Sequence, residues 1–581
     1  MMRRARRLTA LLGLTILASL FGAGSAAGAD DSRTIAEVYR PGEVSAWLFT
    51  RQGSPIGHCR SQYEGRASVG QTSAHFFRAQ VQLRVDTPGG ALDARLTAHL
   101  WTDDHGHPLR FELRSLTSDV YARVELAFRG DKADATIVQG PTSRTLEVPA
   151  DPAAYLLANN FVSHIETLLR VAPPSPDEPR SYSLFSGNVL RKIPFEVKPT
   201  GSAGDAADEP AVRVYADSLG ETIHLADDGR LVRLDLPAQG ITMQRTDDPP
   251  VIFEIAPPDE KADSVADLDR EEVTVTHGEV TLAGTITRPK GSKGRLPALF
   301  FISGSGLQDR NGNAAGIDAG TGAILDRLTE AGFLVLRVDD RGAGASRGPL
   351  DDMGFDDLID DARACVRFLA KRTDVDPARI AVLGHSEGGI TAPILALDDD
   401  PALAAIVLLA APGRNILDLA REQLRNAKAR EGVSGDALDA YDRELADFFA
   451  RAAGDGPLAP GSVPEAARML VPARAWIRTH AKVDPAANIA RVRCPVLILQ
   501  GARDFQVTVE RDAKPLWAAL EAADHPDHRL VTFETLDHLF KKTHEGSIGL
   551  DYMKKRPVSE ELFDVLVPWL TERLLAPDED R

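Results

Sequence analysis

The chain of 581 residues is acidic, because 67 Lys and Arg residues stand against 85 Asp and Glu residues and give a formal net charge of −18. This charge argues against nucleic acid or an anionic membrane as a partner. Its 43% hydrophobic and 26% charged residues are ordinary for a folded protein, and its length predicts roughly two to four domains. Three cysteines are too few for a disulfide framework.

Residues 1–29 have the pattern of a signal peptide. Arginines between positions 3 and 7 precede an uncharged apolar run at 8–21, and Ala27-Gly28-Ala29 offers a cleavage site. We therefore predict export to the periplasm or beyond, with no stable membrane insertion after cleavage. An uncleaved anchor is the alternative, and the paired arginines leave a twin-arginine export signal open.

Residues 30–250 are predicted to form a β-rich accessory domain. Apolar and polar residues alternate at 80–86, 96–101 and 121–128, as they do in half-buried antiparallel strands. One helix-like stretch interrupts the pattern at 151–171, and segments rich in Pro and Asp at 172–180 and 200–210 predict exposed loops. Residues 251–270 are interpreted as a linker, because one Pro-Pro pair at 249–250 directly precedes them and a second at 257–258 lies within them.

Residues 271–578 alternate between predicted strands and helices, which is typical of an α/β fold. The predicted strands are 280–288, 297–303, 333–338, 380–383, 404–410, 495–500 and 530–533, and the predicted helices are 323–331, 355–371, 390–397 and 560–575. A charged helical stretch at about 414–481 separates two of these strands and is predicted to form a cap.

The segment Gly384-His385-Ser386-Glu387-Gly388 stands between an apolar strand and a helix-compatible stretch. This G-x-S-x-G arrangement predicts a nucleophile elbow, in which a sharp turn exposes the serine hydroxyl. A second match surrounds Ser346, but Pro349 follows it closely and no apolar strand directly precedes it. We therefore predict Ser386 as the nucleophile.

A serine nucleophile needs a base and a third group that orients the base. Asp504 and His538 each lie just beyond a predicted strand and follow Ser386 in the order Ser, acid, His. The alternative acids are Asp484 and Asp537, and the alternative bases are His525, His528 and His544. His385 is interpreted as a packing residue.

Two backbone N–H groups are expected to hold the oxyanion. The residue after the nucleophile, Glu387, supplies one of them. The glycine-rich loop after strand 297–303 supplies the other, from Ser305, with Gly306 as the second choice. An ordinary glycine-rich turn is the alternative for this loop.

These motifs resemble the bacterial carboxylesterase branch of the α/β-hydrolases, close to the serine-aminopeptidase-like and prolyl-oligopeptidase-like groups. The matching pieces are Gly304–Arg310, Asp340–Ser346, Gly384–Gly388, Gly501–Asp504 and His538, and they lie within residues 275–575. The family usually has a histidine where this chain has Ser303. We expect Asp309, Arg310, Asp340 and Arg341 to brace loops around the site. The β-rich region loosely resembles periplasmic β-sheet domains that precede catalytic domains.

The sequence predicts an exported serine hydrolase that cleaves small-molecule carboxylic esters through an acyl-enzyme, without a metal or cofactor. Its activity should rise with pH through about 6.5 as His538 becomes neutral. Acyl transfer and thioester hydrolysis would use the same residues. One alternative is a peptidase acting on free N-termini, for which Glu422, Glu431 and Glu444 of the cap are candidate carboxylates. Another is a non-catalytic protein that binds envelope material on a hydrolase scaffold.

Overall fold

A computed structural model of the chain describes residues 32–575. The exceptions are 88–89, 140–141, 159, 188–189, 204–211, 238, 251, 256–266, 315–316, 351, 400, 431, 455, 457 and 459–462. The predicted signal peptide therefore lies outside the described residues. The chain divides into two compact units between residues 258 and 259. None of the helices in the described part is both long and apolar enough to cross a membrane.

In the described residues of the first unit, fifteen strands form one sheet. The strands are β1 Val44–Arg51, β2 Ser54–Val69, β3 Thr72–Thr87, β4 Gly90–Thr102, β5 Pro108–Thr117, β6 Val120–Arg129, β7 Lys132–Gln139, β8 Thr142–Pro149, β9 Tyr155–Leu157, β10 Arg180–Ser186, β11 Arg191–Ala203, β12 Val212–Asp217, β13 Thr222–Ala226, β14 Leu231–Leu236 and β15 Ile241–Thr246. The order runs from β8 back to β1, continues with β15 and runs back to β9. Sequence neighbours pair as antiparallel hairpins, whereas β9 and β10 pair in parallel.

The core of this unit contains a helix as well as the inward-facing side chains of the sheet. Helix α1 spans Ile35–Val38, and helix α2 spans Val162–Val171 with all ten of its residues buried. Its apolar side chains share one cluster with strand residues such as Val81 and Phe111. Its charged side chains are paired, since Glu166 accepts a hydrogen bond of 2.6 Å from Arg245, as buried charges require.

Two local expectations for this unit need correction. The predicted helix at 151–171 begins only at Val162, because Tyr155–Leu157 pair with β10 instead. The predicted loop at 200–210 is wrong for its first residues, because β11 continues to Ala203 and pairs with β12 through Gly201 and Ser202, and residues 204–210 lie outside the described residues.

The second unit contains an eight-stranded, mostly parallel sheet in its described residues. The strands are β16 Leu268–His277, β17 Val280–Pro289, β18 Leu296–Ile302, β19 Leu334–Val338, β20 Val375–His385, β21 Ala405–Leu409, β22 Val496–Gly501 and β23 His528–Phe533. The order is β16-β17-β19-β18-β20-β21-β22-β23. The pairs that involve β17 are antiparallel, and the others are parallel. Strand β16 begins inside the predicted linker and was not expected as a strand.

Helices cover the sheet of the second unit and fill the predicted cap region. They are α3 Thr321–Glu330, α4 Phe355–Ala370, α5 Gly388–Leu395, α6 Ile416–Arg430, α7 Asp436–Ala453, α8 Arg474–His480, α9 Pro485–Ile489, α10 Lys514–Ala522 and α11 Glu560–Leu574. A 3₁₀ helix spans Glu465–Ala473 and another Leu550–Met553, and a π-helical turn spans Val509–Ala513. Strands β21 and β22 are buried throughout their length, as expected for strands covered on both faces.

Candidate active site

Ser386 lies in a strained turn between β20 and α5. Its backbone φ is 52°, in the left-handed region that residues other than glycine seldom adopt. A Cβ atom at Gly384 would lie 2.1 Å from the carbonyl oxygen of Gly388, and one at Gly388 would lie 2.4 Å from that of Ile302. Only glycine therefore fits at positions 384 and 388. The Ser386 N–H donates to the Leu409 carbonyl on the neighbouring strand at 2.9 Å.

This strand, elbow and helix stand in the middle of the parallel sheet, because β20 pairs with both β18 and β21. The chain has the α/β-hydrolase fold. The predicted fold class is thus confirmed, including the β-rich region that precedes the hydrolase unit.

Asp504 and His538 lie side by side, as the sequence predicts. Asp504 follows β22 and His538 follows β23, and both residues are 5% exposed. The imidazole Nδ1 donates to Asp504 Oδ2 at 2.6 Å. Burial by itself lowers the pKa of the His538 imidazole, but the hydrogen bond and charge of Asp504, together with the charges of Asp537 and Asp512, outweigh burial and raise that pKa above its ordinary value of 6.5.

The carboxylate of Asp504 is held in place by its own loop. It accepts hydrogen bonds from the backbone N–H groups of Gln506 at 2.8 Å and Val507 at 3.0 Å. The side-chain amide of Gln500 donates to the other oxygen at 3.0 Å. These donors fix the oxygen that faces His538.

The loop that carries His538 is closed by its neighbour Asp537. This carboxylate accepts from the N–H groups of Leu539 and Lys541, both at 3.0 Å, and from Arg556 at 2.8 Å. Asp537 therefore supports the loop, which accounts for its carboxylate without the role of alternative acid.

His385 links the elbow to the same loop. Burial lowers the pKa of its imidazole to about 4, so the ring is neutral at physiological pH. Its Nε2 donates to the backbone carbonyl of His538 at 2.9 Å. His385, which directly precedes Ser386, thus connects the elbow to the backbone of the candidate base.

The predicted oxyanion loop, residues 303–308, approaches the elbow closely. A Cβ atom at Gly304 would lie 3.2 Å from the Cβ of Ser386. The Ser305 side chain lies beside the carboxylate of Glu387 and helps to lower the pKa of that group, so the structure brings the two predicted oxyanion residues together. Gly306 has a φ of +89°, which favours glycine at this turn.

Asp340 holds this loop through two hydrogen bonds. Its carboxylate accepts from the Ser303 hydroxyl and from the Gln308 N–H, both at 2.8 Å. Burial raises the pKa of Asp340 to about 7. Ser303, which replaces the usual histidine of the resembling family, therefore has a defined partner.

The other predicted bracing residues also bind neighbouring segments. Arg310 donates to Asp339 at 2.9 Å, and Arg341 donates to Asp361 at 2.7 Å. Asp309 accepts from two backbone N–H groups of its own turn, both at 2.9 Å.

The other candidate nucleophile, acid and bases have different surroundings. Ser346 is fully buried, and its hydroxyl donates to the Asp339 carbonyl at 2.7 Å. Asp484 caps helix α9. His544 lies beside Asp551 at 3.2 Å with half of its side chain exposed. His525 and His528 lie at the beginning of β23, the opposite end from His538.

Sequence reasoning missed the environment of the Glu387 side chain. The residue is 4% exposed, and its Oε1 accepts from Trp476 Nε1 and His480 Nε2, both at 2.7 Å. Trp476 and His480 belong to helix α8 in the predicted cap region. The available signal was an acidic residue inside an otherwise apolar strand-turn-helix segment, which requires a buried partner. Within the described residues, no group of three His, Cys, Asp or Glu side chains is arranged for a metal ion.

Comparison with known proteins agrees with a hydrolase assignment. Residues 277–539 match the family model described as X-Pro dipeptidyl-peptidase of the S15 family, and this range contains Ser386, Asp504 and His538. Esterase EstD of Thermotoga maritima is 28% identical over 305 residues, which cover 52% of this chain and 68% of that relative. An uncharacterized Mycobacterium tuberculosis protein is 35% identical over 158 residues, 27% of this chain and 51% of its own length.

Two solved structures also resemble the chain. The Pyrococcus furiosus esterase Pf2001 is 18% identical with a TM-score of 0.36, and the match covers 56% of this chain and 97% of that one. Est1E of Butyrivibrio proteoclasticus, solved with ferulic acid bound, is 18% identical with a TM-score of 0.36. The match covers 52% of this chain and 100% of that one. The elbow and the family match together support a serine hydrolase.

Proposed function

We propose that this chain is an exported serine hydrolase that cleaves carboxylic esters of small molecules through an acyl-enzyme. The observation that carries the proposal is the buried 2.6 Å contact between Asp504 and His538 in a unit that also holds the strained Ser386 elbow. In such a pair the carboxylate orients the imidazole, which can then accept the proton of a serine hydroxyl.

In the proposed mechanism, His538 removes the proton from Ser386 Oγ as this oxygen attacks the ester carbonyl. Asp504 holds the imidazole and stabilises its protonated form. The N–H groups of Glu387 and Ser305 stabilise the negative charge on the carbonyl oxygen. His538 then protonates the leaving alcohol, and a water molecule releases the acid by the same steps in reverse.

A peptidase that acts on free N-termini is the second candidate, and the S15 family match favours it. Such an enzyme needs a buried anion for the substrate's ammonium group, since an unpaired desolvated charge is costly. Glu387 adjoins the nucleophile, but its carboxylate already binds two donors, Trp476 and His480. Glu422 is paired with Arg414 and Arg511, Glu444 is exposed, and Glu431 lies outside the described residues. These contacts support the ester reading.

Matched substrates distinguish the two candidates. We expect a short acyl ester of a neutral phenol to exceed an aminoacyl anilide in kcat/KM, after each rate is divided by that of uncatalysed hydrolysis. A free α-amino group on the acyl part should give little advantage over its acetylated analogue. If the free amine raises kcat/KM by about a hundredfold, or roughly 2.7 kcal/mol, the peptidase candidate is correct.

Export is proposed from the basic and apolar segments within residues 1–29. N-terminal sequencing of the protein from its natural host should begin near Asp30, in a periplasmic or extracellular fraction. A cytosolic protein that begins at Met1 would contradict export without affecting the proposed chemistry.

A further inference from the structure

The side chain of Glu387 joins three segments that are far apart in sequence. It belongs to the elbow, and helix α5 begins at the next residue. Its Oε1 accepts from Trp476 and His480 of helix α8, and its carboxylate lies beside the Ser305 side chain of the oxyanion loop. One buried carboxylate thus contacts the nucleophile turn, the cap region and the loop of the second proposed oxyanion donor.

The donors keep this carboxylate charged. Burial by itself raises the pKa of the Glu387 carboxyl, but the hydrogen bonds and charge of His480, with Ser305 and Trp476, outweigh burial and lower it below its ordinary value. Hydrogen bonds to a charged group in a buried setting are stronger than neutral ones. The three segments are therefore held tightly at one point.

Helix α8 is itself held by contacts other than those with Glu387. The His480 ring is fully buried and stacks on Phe355 at the beginning of α4, with 3.8 Å between ring centroids. The carbonyl of His480 accepts from the Asn415 side chain at 2.9 Å. Trp476 and His480 lie one turn apart on the same helix face and contact each other edge to face. These contacts hold the Trp476 and His480 side chains in the positions from which they donate to the carboxylate.

We propose that the Glu387 carboxylate, held by His480 and Trp476, is a positioning residue that sets the separation of the two oxyanion N–H groups. The inference rests on the proposed function, because these N–H groups belong to the proposed ester hydrolysis. Its physical basis is that an oxyanion hole stabilises charge only when its donors stand at the correct distance from the developing anion. The Glu387 side chain touches no reacting atom and acts through the backbone of its own residue and through Ser305.

The test replaces the carboxylate by an amide of the same size in Glu387→Gln. Removing one oxyanion donor outright costs roughly a hundredfold to a thousandfold in kcat, so displacing both donors slightly should lower kcat by roughly tenfold to a hundredfold. KM should change less than about twofold, because ground-state binding is largely retained. The affinity for a short alkylboronic acid, which mimics the tetrahedral intermediate, should fall by the same factor as kcat.

Glu166→Gln is the matched control. Glu166 is 1% exposed and accepts a 2.6 Å hydrogen bond from Arg245, but it belongs to the β-rich unit. The same substitution there should leave kcat and boronate affinity unchanged. A rescue series adds a second comparison: His480→Gln keeps a donor near the Nε2 position and should lose less than threefold in kcat, whereas His480→Leu should match Glu387→Gln.

If Glu387→Gln does not fold, Trp476→Phe removes a single donor, and an unchanged kcat in that variant overturns the proposal. A Glu387→Gln variant with wild-type kcat and boronate affinity also overturns it. The rate of fluorophosphonate labelling at Ser386 is measured in parallel and needs no substrate. Wild-type protein that labels at Ser386 but does not cleave esters contradicts the ester function alone, and its labelling rate relative to Glu387→Gln still decides the role of Glu387.

Discussion

At the scale of single residues, His538 is subject to two opposing influences. Burial favours the neutral imidazole, whereas Asp504, together with the charges of Asp537 and Asp512, favours the charged one, and the carboxylates prevail. A base must be neutral to accept the proton of Ser386. The raised pKa therefore shifts the onset of activity to higher pH than the value of about 6.5 expected from an ordinary histidine.

The prediction is a rise of kcat/KM with pH through a value above 6.5, with activity lost as the pH falls below it and His538 becomes protonated. Ester hydrolysis by wild-type protein, measured from pH 5 to 9, checks this. A midpoint at or below 6.5 would show that the Asp504 contact does not control the base.

Asp340 provides the control for this profile, because its pKa of about 7 lies in the same range. In Asp340→Asn, the side-chain carbonyl oxygen can still accept from Ser303 or from Gln308 N–H, but the group no longer titrates. The rise should persist in this variant. Its disappearance would assign the pH dependence to Asp340 and the oxyanion loop.

At the scale of elements, the elbow depends on backbone packing that leaves no space for a side chain. Gly384→Ala would place Cβ 2.1 Å from the Gly388 carbonyl oxygen and 2.7 Å from the Gly389 nitrogen, and neither backbone atom can rotate away. We expect a loss of stability of at least about 2 kcal/mol, within or above the range for overpacking, together with loss of labelling at Ser386.

Gly454→Ala is the matched change, because its Cβ would meet its nearest neighbour, the Arg451 carbonyl oxygen, at an ordinary 3.5 Å. Its melting temperature and labelling rate should equal those of wild type. If Gly384→Ala is as stable and as reactive as Gly454→Ala, the tight turn described for the elbow is wrong.

Local patterns in the sequence were enough to predict the elements that surround the site. The apolar run at 380–383 followed by glycine predicted the end of β20 to within two residues, and the predicted strand ends at 500 and 533 placed Asp504 and His538 at one edge of the sheet. This succeeded because a parallel sheet brings the carboxyl ends of its strands to one edge.

Contacts between distant segments were not predictable in this way. Glu387 and His480 are 93 positions apart, and no periodicity relates them. The local sequence around residues 155–157 favours a helix, but in the structure their pairing with β10 outweighs that helical preference. Strand β16 was missed because its first residues lie in a polar segment interpreted as a linker.

At the scale of the whole molecule, two units with separate cores share one chain. The first is a mostly antiparallel sheet that shares its core with α2, and the second carries the elbow, the Asp504–His538 pair and the Glu387 contacts. The proposed chemistry therefore lies within the hydrolase unit.

The proposal of Ser386 as nucleophile is the central claim, and the chain contains its own control in Ser346, the serine of the second G-x-S-x-G match. A fluorophosphonate probe should label wild-type protein and Ser346→Ala equally, and the modified peptide should contain Ser386. Ser386→Ala should abolish labelling and lower ester turnover by up to roughly 10⁶. Labelling that maps to Ser346, or that survives in folded Ser386→Ala, would contradict the account.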